Sequence, residues 1–286
     1  MNIVSGFISN INLRADRDIT KYIDFGIQLM SVEIPMTIFI ERTIFDADIL
    51  PKIQLPISAS GEFIYRIQGG IMDGMQQKYS YIRIGHITFV FFSVQDLFLL
   101  SYRATAHKFA LNTGNPHKDT LEYMMVQCQK SEWMAIAEQL SSQTDSEQTK
   151  EYVWVDFGIF HMFRGKIDVF QIELYTMRAR IHQRLFRNKE SSRLTFARCW
   201  DPANHIYHGN IYKDVNWLFA GSVFGGGATM IRQFALRVRE KCLQVMRSKN
   251  TLMWEINIWA LIYRESESLF SLYPSDHSEI IFRGYV

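Results

Sequence analysis

A chain of 286 residues, 48% hydrophobic and 14% aromatic, carries enough apolar surface to bury a large core, which excludes an intrinsically disordered protein. Its 31 Lys plus Arg against 29 Asp plus Glu leave a net charge of +2, so no basic excess points to nucleic acid as a partner. Cys128, Cys199 and Cys242 are odd in number and form no CxxC pair, which argues against a disulfide framework or a thiolate zinc site and fits a reducing, cytoplasmic setting.

The sequence opens on an apolar run at residues 2–8 that reads as a buried strand, without the charged start and cleavage site of a signal peptide. A polar loop follows, and Asp18 is placed to cap a helix in which Ile19, Tyr22, Ile23, Ile27 and Met30 recur at helical spacing. Residues 36–41 form a second strand. This β-loop-α-β opening is that of a nucleotide-binding half, although the loop has no GxGxxG or GxxxxGK[ST], so neither a dinucleotide fold nor a P-loop is supported. Arg14 and Arg17 in that loop, with Lys118 further on, are the expected phosphate or base contacts.

Residues 50–76, with two prolines and several glycines, read as an excursion from the alternation. Residues 87–92 make a third buried strand, with 94–107 continuing as a helix; the apolar stretch 87–100 is too short and too polar to span a bilayer. In residues 120–140 the apolar positions change phase, which predicts a break near Lys130.

The run YVWVDFG at residues 152–158 suits a strand buried on both faces that stops at Asp156. Ligands bind at the carboxyl ends of strands in open α/β sheets, so this carboxylate can hold a metal ion or a sugar hydroxyl; a cap on the turn before Gly158 is the plain alternative. The DFG triplet at Asp24 and again at Asp156 does not make a kinase, since no HRD or VAIK element accompanies it. The basic residues between Arg178 and Arg198 read as a solvated helix face or as the neighbourhood of an anionic ligand.

An apolar strand at residues 216–224 runs into Gly225, Gly226 and Gly227, which either let the backbone approach a ligand or serve tight packing before an amphipathic helix. The segment TLMWEINIWALIY, residues 251–263, reads as a buried helix carrying Glu255, a carboxylate costly to bury unless paired or used. Asp276 and His277 stand together in the closing loop after a short strand at 269–273. The fold class is therefore α/β.

The motifs WVDFGIFH (154–161), LFAGSVFGGG (218–227) and MWEINIWALIY (253–263), with residues 1–30 and 115–137, resemble the HtrL/YibB-like family of glycosyltransferase-type proteins. The resemblance implies a single GT-A-like (Rossmann-like) domain around a mixed, mostly parallel central sheet, with residues 1–157 holding a nucleotide sugar and 158–286 the glycan acceptor. It places Asp156 where the metal-binding D-x-D element lies, here reduced to one aspartate. It further implies His277 as the residue completing a Mn or Mg site, the glycines after Phe224 facing the donor sugar, and Glu255 on the acceptor side; Glu255 is expected as general base or as a structural hydrogen-bond acceptor, and inversion at the anomeric carbon follows if it is the base. A carbohydrate-binding or assembly protein that has lost turnover is the alternative.

Overall fold

A computed structural model describes residues 1–9, 18–53, 56–102, 115, 117, 119–144, 151–187, 191–201 and 210–285. Among the described residues nine strands form one mixed sheet: β1 (Asn2–Phe7), β2 (Met36–Ile40), β3 (Ile57–Arg66), β4 (Gln76–Ile84), β5 (Ile87–Phe91), β6 (Glu151–Val155), β7 (Leu194–Arg198), β8 (Phe219–Gly227) and β9 (Phe270–Pro274). The order across the sheet is β3-β4-β5-β2-β1-β6-β8-β7-β9. The four central strands β5, β2, β1 and β6 are parallel, whereas β8 runs antiparallel to β6 and β7, and β3 and β4 add an antiparallel hairpin at one edge. β9 returns parallel to β7.

Every residue of β2 and β6 is buried, as continuous apolar runs in the middle of a sheet require. Their side chains alternate between two cores. Val4, Phe39, Trp154 and Phe224 face one side; Ile3, Ile38, Val153, Val155 and Val223 face the other. The second face is covered by α1 (Ile19–Met30) and α3 (Ile167–Phe186), the first by α2 (Leu121–Thr144), α4 (Ala228–Lys249) and α5 (Glu255–Glu265). Asp18 caps α1 as expected, accepting from Thr20 N at 2.9 Å, and α4 ends at Asn250 in the left-handed conformation, φ 49°.

Four expectations are corrected. The stretch 50–76 is not an excursion throughout, since residues 57–66 form β3, which pairs with β4 from residue 76 as a hairpin, and residues 94–96 and 100–102 are separate 3-10 turns, the first closed by a Ser93/Asp96 capping box, rather than the start of one helix. Helix α2 runs unbroken through Lys130. Its apolar phase changes because it is buried almost all round, with Trp133 stacked between Phe39 and Trp154 at centroid distances of 5.6 and 5.7 Å. Finally, α5 starts at Glu255, so this carboxylate occupies the helix N-terminus and not its interior.

A candidate ligand site at the switch point of the sheet

The chain leaves β1 toward β2 on one side and meets β6 on the other, so the strand order reverses between β1 and β6. In open α/β sheets the crevice outside the carboxyl ends of two such strands is where ligands bind. A cavity of about 520 Å³ lies there, bordered by Phe7, Ile8 and Ser9 after β1 and by Asp156, Phe157 and Gly158 after β6. Residues from both halves of the chain line it.

Lys130 organises its polar floor. Buried to 4% exposure in the middle of α2, its ammonium donates to the Gly221 carbonyl at 2.9 Å and to Glu255 Oε1 at 3.0 Å, and pairs with Asp156 Oδ1 at 3.1 Å. Its three protons thus have three acceptors, supplied by β8, α5 and the end of β6. Asp156 Oδ1 also accepts from Trp154 Nε1 at 2.7 Å, and the same indole lies 5.7 Å from the ammonium. Burial pushes the Lys130 pKa down, but attraction to Asp156 and Glu255 and the hydrogen bonds to both outweigh it, so the net shift is upward and the lysine stays charged.

The two carboxylates differ in access. The Asp156 side chain is 37% exposed, whereas that of Glu255 is sealed at 4%, with Oε2 left without a hydrogen-bond partner. Gly221 makes this close packing possible, because a Cβ there would fall 2.5 Å from Glu255 Oε1. His277 lies exposed on the wall, 5.2 Å edge-on from the Trp217 ring, and desolvation holds its pKa below the ordinary histidine value; nearby Asp156 opposes that shift, and Lys130 and His161 add to it.

The structure therefore brings Asp156, Glu255 and His277 to one cavity. It does not bring Gly225, Gly226 and Gly227 there. They pair with Val153, Tyr152 and Glu151, at the end of β6 remote from Asp156, and a Cβ on Gly225 would stand 2.3 Å from the Tyr152 carbonyl oxygen. Strand packing thus demands glycine at position 225, whereas a Cβ on Gly226 would meet only the Leu194 side chain at 3.3 Å and the Arg193 carbonyl oxygen at 3.4 Å. Arg14, Arg17 and Lys118 lie outside the described residues. Lys130, Gly221 and Ser222 were not singled out from the sequence; the polar run Gln129–Glu132 inside an otherwise apolar helix was the available signal, since buried polar groups need partners or a task. Compared with protein-family models and with curated proteins, the chain matches none.

Proposed function

We propose that this protein transfers a sugar from a nucleoside-diphosphate donor to a carbohydrate hydroxyl. The observation that carries the reading is the position of Asp156: an open carboxylate, held by Lys130 and Trp154, at the carboxyl end of β6 where the strand order reverses. The cavity has the size of a small-molecule site, and its aromatic walls suit the apolar faces of a pyranose ring. The resemblance of the 154–161 and 253–263 motifs to glycosyltransferase-type proteins supports the same reading.

In this reading the donor phosphates are assigned to Arg14, Arg17 and Lys118, the first two in the segment that leaves the cavity rim at Ser9. Asp156 meets the acceptor hydroxyl and takes its proton as the bond to the anomeric carbon forms, and the nucleoside diphosphate departs with the former glycosidic electron pair. Glu255, expected from the sequence as the general base, is sealed behind its contact with Lys130 at 4% exposure, so in this reading it acts through that lysine and the base is Asp156. One base serving one displacement gives inversion at the anomeric carbon.

The lining fits a divalent ion poorly. The Lys130 ammonium already offsets one of the two carboxylates, which leaves a single net negative charge against a divalent ion, and among the described residues no three histidine, cysteine or carboxylate groups cluster as metal ligands. No step is therefore routed through Mn or Mg.

Thermal-shift titration with nucleoside diphosphates and their sugars, run with Mn, with Mg and with chelator, tests the reading, because a ligand of the native state raises apparent stability. Stabilisation by a nucleotide sugar, and its slow hydrolysis without acceptor, are expected. Absence of any shift across the panel would sink the proposal. Binding without hydrolysis or transfer would instead favour a carbohydrate-binding protein, a reading consistent with the single aspartate of the DFG element.

A further inference from the structure

Among the described residues the lysine, carboxylate and histidine side chains lining the cavity are Lys130, Asp156, Glu255, His161 and His277. Because the Lys130 ammonium spends its three protons on Gly221, Glu255 and Asp156, it has none left for an incoming anion. Two carboxylates and one lysine leave a formal charge of −1 at the floor.

Three polar atoms of lining residues are sealed from solvent without a hydrogen-bond partner: Glu255 Oε2, Ser222 Oγ and Trp133 Nε1. Buried polar atoms left unmet are costly, and here they collect around one cavity. Its walls are linked rings. Tyr123, Trp254 and Trp217 contact one another edge to face at 6.0 and 5.9 Å, and across from them Phe7 stacks on Phe157 at 5.1 Å. Aromatic faces attract cations electrostatically, most strongly where water is excluded.

We propose that the occupant of this cavity is a hydroxylated ligand bearing a protonated amine, of which a free amino sugar is the chemical class. The ammonium pairs with the open side of Asp156 and with the ring faces, and its charge neutralises the floor. The inference rests on the glycosyl-transfer reading for taking the ligand to be a sugar, and adds its charge. An N-acetylated or neutral sugar forfeits the charge pairing, and a uronate meets repulsion. A divalent ion is the poorer match, since one net negative charge balances a monovalent cation.

Isothermal titration of the full chain with glucosamine, glucose, N-acetylglucosamine and glucuronate tests this. Glucosamine should bind on the order of tenfold tighter than glucose, a difference of about 1.4 kcal/mol, and glucuronate not measurably. Asp156→Asn should erase the preference, so that glucosamine and glucose bind that variant equally. A pH series on the unaltered protein reads the same property without a variant, because the preference should vanish as the amine loses its proton. Failure of glucosamine to bind, equal affinity for glucosamine and glucose, or binding of glucuronate overturns the inference. Nucleoside diphosphates titrated in parallel separate the two ideas. Nucleotide binding without an amine preference removes this inference alone; an amine preference without nucleotide binding removes the transferase reading alone.

Discussion

Asp156 and Glu255 are both carboxylates on one lysine, yet their exposures, 37% and 4%, assign them different tasks. Replacing Asp156 by Asn keeps an oxygen for Trp154 and Lys130 and removes only the charge and the basicity. Turnover of a nucleotide sugar should then fall by roughly 10²–10⁴ with the melting temperature little changed, which steady-state kinetics and calorimetry check together. Lys130→Met removes the cation between two carboxylates, one of them buried, and should cost about 3–5 kcal/mol in urea denaturation. Adding Glu255→Gln to that variant should restore a good part of the loss, because the buried charge is then gone; additive effects in this cycle would refute the coupling. Asp156 was legible in the sequence because an apolar run stopped on it. Lys130 was not, since a lysine inside a helix reads as solvent-facing until the packing of Trp133 on Phe39 and Trp154 turns that segment inward.

At the level of elements, the mostly apolar, β-prone strands β1, β2, β5 and β6 could be read directly, as could the cap on α1. The β3–β4 hairpin could not, because β3 lies at the sheet edge with mostly exposed side chains and shows little apolar alternation. The glycines of β8 carried a misleading signal, because a glycine kept for a neighbouring strand looks the same in sequence as one kept for a phosphate. Their packing role can be checked by contrast. Gly225→Ala sets a methyl 2.3 Å from a backbone oxygen that cannot yield, whereas Gly226→Ala meets only the Leu194 side chain at 3.3 Å and the Arg193 carbonyl oxygen at 3.4 Å. The first should lower stability by about 3 kcal/mol or more and the second by about 1 kcal/mol or less, measured by denaturant unfolding. Equal effects would count against the strand-packing explanation. Gly221→Ala sits between element and site: its methyl would displace Glu255 Oε1, so turnover should suffer with it.

For the molecule as a whole, stability should depend on pH through the cavity. The folded pKa of Lys130 is raised, so its contribution is fully present below the ordinary lysine value of 10.5 and is lost as pH rises through the higher folded value. His277 works on the acid side. Its folded pKa is lowered, so the unfolded chain binds the proton first and stability falls as pH drops through the ordinary value of 6.5 toward the lower folded one. His277→Gln should flatten that acid limb in a pH series of melting temperatures; an unchanged limb would place the titrating group elsewhere. No helix among the described residues is long and apolar enough to cross a membrane. The cavity draws on Gly6, Lys130, Asp156, Trp217, Glu255 and His277, and β1 must pair with β6 across about 150 positions of sequence before its crevice exists. Loop closure over such separations is slow, and the central strands wait with unsatisfied edges until it happens. A chain emerging from the ribosome thus holds β1 and β2 long before β6 and β8 can cover them, which makes the interval of synthesis between residues 40 and 219 the period in which this protein depends most on chaperones.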